Sequence, residues 1–246
     1  VRIMTKNAQP YIIKLLTLFV ILFVTFPVHA DMTKARKAMA ADDFETAFKE
    51  YMENARMGNM FAQYIVAQMY ARGEGVKRDM REAANWYGLA ADRGHVKSQN
   101  NLANMYMDGF GVLQNFTEAA RWFKRAAERG NYLSMASLAE LYQHGEGVEM
   151  DFDKALVLYH EAAENGVRKA MNNLGFMHFG GHGVQQSYKL AYRWFSVAEF
   201  AGDTQGAVNK FDMRDFLSDY DKSQAELDAQ QWLADHPDSL KKIEEN

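Results

Sequence analysis

The stretch from Gly73 to Gly94 reads GEGVKRDMREAANWYGLAADRG. It returns as GFGVLQNFTEAARWFKRAAERG from Gly109 to Gly130, as GEGVEMDFDKALVLYHEAAENG from Gly145 to Gly166, and as GHGVQQSYKLAYRWFSVAEFAG from Gly181 to Gly202. The offsets 109 − 73, 145 − 109 and 181 − 145 are all 36. A fixed period of about 20–50 residues marks a repeat array, in which each unit buries its apolar face only against its neighbours. That decides the architecture and names no ligand.

Inside one unit, Ala62, Val66, Met69 and Tyr70 fall at helical spacing. Gly73 stops this first helix, because glycine takes the left-handed cap conformation without Cβ strain. Gly75 offers a second permissive position, and Asp79 stands where an N-cap carboxylate can accept from free backbone N–H groups. A second helix follows, with Ala83, Trp86, Tyr87, Ala90 and Ala91 on one side, and Gly94 ends it. The columns recur with the turns. Gly109, Gly145 and Gly181 repeat Gly73; Gly111, Gly147 and Gly183 repeat Gly75; Gly130, Gly166 and Gly202 repeat Gly94. Small residues stand at Ala62, Ser98, Ser134 and Ala170, and apolar ones at Val66, Leu102, Leu138 and Leu174. Tyr70, Tyr106 and Tyr142 form a column broken by His178, and Trp86, Trp122 and Trp194 form one with Leu158 in the remaining slot.

This pattern resembles the Sel1-like repeat, a relative of the tetratricopeptide repeat. The match runs over residues 62–205 in units 62–97, 98–133, 134–169 and 170–205. The fourth unit departs most, with His178 for Tyr, Ser187 for Asp and Glu199 for the second Ala. The resemblance implies an all-α fold, a right-handed α-solenoid of stacked antiparallel helix pairs.

Working outward, residues 31–61 read as an N-terminal capping half-repeat: Asp43, Ala47, Tyr51, Ala55 and Gly58 align with Asp79, Ala83, Tyr87, Ala91 and Gly94. Residues 206–246 read as C-terminal capping helices and a tail, with Ser223 as the expected N-cap of a last helix whose apolar stripe is Ala225, Ala229, Trp232 and Leu233. Residues 1–30 have the grammar of a secretory signal: a basic start (Arg2, Lys6, Lys14), an apolar run from Leu15 to Phe26, and small residues before a cut after Ala30. The expectation is a periplasmic or secreted product; the alternative is an N-terminal anchor in an inner membrane. Removing 1–30 leaves 25 basic against 32 acidic residues, a net charge of −7. That balance argues against non-specific binding to nucleic acid or anionic membranes. With no cysteine there is no disulfide framework, no thiolate zinc site and no lipobox.

Catalytic and cofactor signatures are incomplete along the same frame. His160-Glu161-Ala162-Ala163-Glu164 lacks the second histidine of a zinc-protease motif. His178 and His182 flank a Gly-Gly turn, but His178 sits in the Tyr column, which predicts a core histidine. The four Gly-x-Gly-Val turns lack the strand, the third glycine and the lysine of a phosphate loop. No catalytic residue, metal or cofactor is expected. Some cysteine-rich Sel1-like proteins are associated with binding or hydrolysing β-lactams; this chain has none of their cysteines.

In the tetratricopeptide-like arrays that the chain resembles, first helices line the concave side. The variable positions between core columns there form a stripe: Phe61, Tyr64, Gln68 and Arg72; Lys97, Asn100, Asn104 and Asp108; Leu133, Ala136, Glu140 and His144; Lys169, Asn172, Phe176 and Gly180. Asparagine lowers helix propensity by about 0.5 kcal/mol relative to alanine, so Asn100, Asn104 and Asn172 invite a role in pinning a peptide backbone, with Phe61, Tyr64 and Phe176 as apolar anchors. The functional expectation is a non-enzymatic scaffold that binds a protein or peptide partner on that face. The alternatives are a cell-wall (peptidoglycan or β-lactam-like) ligand binder or hydrolase, and a structural spacer in an envelope assembly.

Overall fold

A computed structural model describes residues 32–237 and 239. The expectation for a signal segment in residues 1–30 lies outside these residues, as does most of the expected tail over residues 238–246. Among the described residues twelve α-helices follow one another: α1 (Thr33–Ala40), α2 (Phe44–Arg56), α3 (Met60–Arg72), α4 (Met80–Asp92), α5 (Val96–Asp108), α6 (Phe116–Ala127), α7 (Tyr132–His144), α8 (Phe152–Glu164), α9 (Arg168–Gly180), α10 (Tyr188–Phe200), α11 (Thr204–Asp212) and α12 (Asp219–Asp235). No strand occurs among the described residues. From α1 to α11 each helix packs on the one before it and the one after it, which makes an α-solenoid of antiparallel pairs. No helix among the described residues is long and apolar enough to cross a membrane.

The local chemistry behind each pair is the one read from the repeat. Asp43, Asp79, Asn115, Asp151 and Ser187 cap the second helices, each side chain accepting from a backbone N–H two or three residues on. First helices end on Gly73, Gly109, Gly145 and Gly181, all with φ between 69° and 77°. A further bond closes every Gly-x-Gly-Val turn: the amide of Asp79, Asn115, Asp151 or Ser187 donates to the carbonyl of Tyr70, Tyr106, Tyr142 or His178 at 2.8–3.0 Å. Both partners are repeat positions, so the turn has the same shape four times.

The small and apolar columns form the core. Ala62, Ser98, Ser134 and Ala170 are wholly buried, as are Ala83, Ala119, Ala155 and Ala191. Their small size lets neighbouring helices approach, and Val66, Leu102, Leu138 and Leu174 fill the space between. The Tyr column is half-buried. Among the tryptophans Trp122 and Trp194 are buried, whereas Trp86 near the N-terminal end is only partly buried.

The array stops for a visible reason. Lys210 on α11 stands one period after Leu174, a charge in a core column. Its ammonium is held by Glu199 at 2.5 Å and Glu226 at 3.1 Å. Burial pulls the Lys210 pKa down, and the hydrogen bonds and charges of the two carboxylates more than reverse this. A lysine paired in this way cannot offer an apolar surface to a fifth unit. The chain then makes one 3-10 turn at Arg214–Phe216, and α12 folds back against α10. The expectation that Ser223 caps the last helix is not met. Ser218 is the cap, its hydroxyl accepting from the Asp221 N–H at 3.1 Å, and Ser223 lies a full turn inside α12. Asp219 and Asp221 in the first turn reinforce the earlier start, since acids favour a helix N-terminus.

Candidate partner-binding face

The stripe on α3, α5, α7 and α9 divides into three parts. At the N-terminal end Phe61 is 53% exposed. Asn59 caps α3 by accepting from the Phe61 and Ala62 amides, both at 3.0 Å, which fixes where Phe61 leaves the helix. Its ring stands edge-on to His95 at 5.3 Å, and Tyr64 lies 4.6 Å from the same imidazole. Gln68 donates to the Tyr64 hydroxyl at 2.9 Å and holds it in place. His95 is the N-cap of α5: its Nδ1 accepts from the Ser98 amide at 3.2 Å. Burial, with help from Lys97, holds the His95 pKa below its ordinary value, which suits an Nδ1 that must stay unprotonated to accept. His95 was not read as a site residue from the sequence. Its signal lay in the N-cap column Asn59, His95, Asn131, Val167 and Asp203, where one imidazole replaces the usual short polar side chain.

The middle of the stripe is polar and largely engaged with itself. Asn100 accepts from the Ser134 hydroxyl at 2.8 Å, which ties α5 to α7. Asn104 donates to the Asn100 carbonyl of its own helix at 3.0 Å. Lys169 and Glu140 pair at 2.6 Å. Arg72 reaches Glu74 at 3.7 Å, and Lys97, Asp108 and His144 are exposed. Ala136 is buried rather than part of the surface, because a methyl side chain does not reach beyond its neighbours at this register. Asn172 is also buried, at 8% exposure, and its Oδ1 accepts from Asn209 of α11 at 2.7 Å. Each of the three asparagines makes an internal bond: Asn100 and Asn172 to neighbouring helices, Asn104 to its own backbone.

Two further asparagines, two periods apart, bond buried tyrosines. Asn101 bonds the hydroxyl of Tyr87, and Asn173 donates to that of Tyr159 at 2.9 Å. Burial pushes the Tyr87 pKa up to about 12 despite the Asn101 bond. Tyr159 is pushed up as well, first by burial. These are core tyrosines with a satisfied polar end.

At the C-terminal end the stripe turns aromatic again. Phe176 is 41% exposed and meets Phe195 edge-on at 5.1 Å. Beside it a cavity of about 160 Å3 is lined by Phe179, Met213 and Phe216 among others, and Phe211 of α11 is exposed nearby in sequence. Two apolar ends flanking a bonded polar middle make a surface suited to an extended protein segment with apolar residues at both ends.

Of the candidate histidines, His160 and His178 border one recess, which His182 does not line. His182 stacks on Phe152 at 5.1 Å, and His160 meets Trp194 edge-on at 5.4 Å. Among the described residues no group of three His, Cys, Asp or Glu side chains is placed to hold a metal. Burial lowers the pKa of both His160 and His178; at His178 the neighbouring His160 and Arg193 lower it further. The unfolded chain then binds protons more readily than the folded one, so stability falls as pH drops below about 6.5, the ordinary histidine value, and the loss continues until the folded pKa values are passed. Thermal melts at about pH 7.5 and pH 5.5 check this. His178→Tyr, which restores the column, should shrink the acid-induced fall in melting temperature; an unchanged fall would remove His178 from the explanation.

Similar proteins give the arrangement its context. The Sel1 repeat family matches residues 61–95, 96–131, 133–167 and 168–198. A protective antigen present in uropathogenic Escherichia coli strains, displaying an SLR fold, superposes with a TM-score of 0.72 at 29% identity, over 81% of this chain and 43% of that one. The chain thus spans less than half of that protein. A Sel1 repeat protein from Oxalobacter formigenes superposes with a TM-score of 0.67 at 27% identity, over 74% of this chain and 75% of its own. No curated protein matches at a significant level. Four consecutive repeat matches, the shared turn chemistry and the stacked helix pairs lead to one statement of identity: the chain belongs to the Sel1 repeat family.

Proposed function

We propose that the chain is an exported, non-enzymatic scaffold that binds a protein or peptide partner along the first-helix face, with Phe61 and Tyr64 as one anchor and Phe176 as the other. The family supports the coarse part of this reading, since Sel1 repeat proteins are protein-interaction scaffolds. The observation that carries the finer part is the exposure of Phe61 and Phe176 on a face where the intervening amides are bonded internally. Exposed aromatics with their helices already fixed lose little freedom on binding. Tyr64, Gln68, Lys97, Asn104 and Glu140 supply the polar surroundings. The net charge of −7 beyond residue 30 favours protein over nucleic acid. The secretory-signal grammar of residues 1–30 supports export.

Two measurements test this. Sequencing the N-terminus of the protein recovered from its own cells should give Asp31. Tagged full chain should capture a protein from envelope extract, and Phe61→Ala with Phe176→Ala should cut the captured amount by about tenfold or more, the size of effect typical of anchor residues. Leu113→Ala, at a 91% exposed turn position, should leave it unchanged. Equal capture by all variants would remove the first-helix face from the account.

A further inference from the structure

The tryptophan column breaks once, and the break has a physical consequence. Where Leu158 stands in place of tryptophan, a cavity of about 620 Å3 opens between α6 and α8 on the second-helix side. This volume falls in the usual range for ligand pockets, roughly 300–1,000 Å3. Its apolar wall includes Ala127, Leu138, Tyr142 and Leu158. Tyr142 and Leu158 also border both the middle and the C-terminal core clusters, so the opening lies at the seam between two well-packed blocks.

Position by position, the wall is that of an indole slot. One period earlier, Ala91, Leu102 and Tyr106 stand where Ala127, Leu138 and Tyr142 stand, and Trp122 packs into their cluster at 3% exposure. Arg121 and Arg125 lie over the Trp122 ring at 4.3 and 4.9 Å. In the third unit these two positions are Val157 and Glu161. The indole and both cations are gone, and an acid has taken one of their places.

The charges at the mouth point the same way. Glu128, Asp153 and Glu161 line it, and none has an ion-pair partner within 4 Å among the described residues. Of the two lysines, Lys154 is held by Asp151 at 2.8 Å and lies over the Tyr142 ring at 5.3 Å. Lys124 alone is left to balance three carboxylates. An apolar slot ringed by excess negative charge favours an aromatic group with a cation beside it.

We propose that this recess is a docking pocket for a tryptophan side chain of a partner protein segment that carries arginine or lysine next to the indole. The partner restores between two chains the arrangement that Trp122, Arg121 and Arg125 make within one. The pocket is lined by the second helices α6 and α8 together with Met135, Leu138 and Tyr142 of α7, and by none of Phe61, Tyr64 and Phe176, so it does not rest on the first-helix reading and can fail or succeed without it.

The test is methyl NMR on the full chain, titrated with three blocked tripeptides: Arg-Trp-Arg, Glu-Trp-Glu and Arg-Ala-Arg. Arg-Trp-Arg should shift the methyls of Leu138, Val157 and Leu158 saturably. The other two should bind about tenfold more weakly or worse, given the paired loss of charge or ring. Leu158→Trp, which fills the slot with the chain's own indole, should abolish the response. Should that variant fail to fold, Glu128→Lys with Glu161→Lys, both at exposed positions, should erase the preference for Arg-Trp-Arg over Glu-Trp-Glu. Silent methyls, an undiminished response in a folded Leu158→Trp, or an unchanged preference in the charge-reversed variant would each overturn the proposal. So would free indole binding as tightly as the peptide, which would mean a small-molecule site, or the same shifts on raising protein concentration alone, which would mean a second copy.

Discussion

Trp122→Ala should lower the stability of the protein by about 3–5 kcal/mol, the range for removing a large buried aromatic. The indole is 3% exposed and packs within the middle cluster, among Tyr87, Leu102 and Leu138. Arg121 and Arg125 lie against its outer face, so truncation also removes the surface on which two guanidinium groups rest. The ring N–H has no hydrogen-bond acceptor among the described residues. Trp122→Phe therefore discards an unsatisfied donor along with some volume, and should cost much less than Trp122→Ala. Trp86→Ala, at the partly buried end of the column, should fall between the two. Denaturant melts of the three variants check the order. If Trp122→Ala melted like wild type, the column would not be a core column and the repeat register would be wrong.

The second large effect separates two glycines of one turn. Gly109 has φ 74° and Gly111 φ 75°, so either alanine variant meets the same left-handed backbone strain, about 1–2 kcal/mol. Their surroundings differ. A Cβ on Gly109 would meet nothing closer than Gln114 Cβ at 3.4 Å, an ordinary contact. A Cβ on Gly111 would sit 2.1 Å from the Met80 carbonyl oxygen and 2.4 Å from its carbon. That is backbone of the preceding unit, at the first residue of α4, and it can yield only if two units move apart. Gly75 against Phe44 and Gly147 against Phe116 repeat this approach. Gly111→Ala should therefore cost about 3 kcal/mol or more, the strain plus an overpacking term of about 1–3 kcal/mol, while Gly109→Ala shows the strain alone. Equal losses would mean that the second glycine serves only its own backbone, and that the spacing between units is set elsewhere.

These cases show where the sequence was legible. Caps, glycine turns and core columns depend on neighbours within one unit or exactly one period away, so a 36-residue frame is enough to place them. Asp79, Gly73 and Ala83 all stand where that frame puts them. It gave way where a partner lies outside the repeat. Asn172 read as a surface amide because its partner, Asn209, belongs to the departing helix α11. Ser223 looked like a cap because α12 has no repeat to align it; the real cap, Ser218, is set by the 3-10 turn that redirects the chain. His95 stands in a cap column, whose sequence signals a helix start and not what the ring packs against. The Leu158 substitution was visible in the sequence, but only the packed neighbours show that it leaves a space.

Site-directed photo-crosslinking tests the binding account most directly. A benzophenone side chain placed in turn at positions 61, 176 and 113 of the full chain, in its own cells, reports which surface meets a partner. The account predicts adducts to one and the same protein from positions 61 and 176, and none to it from position 113. An adduct of equal yield at position 113, or none at 61 and 176, would contradict it.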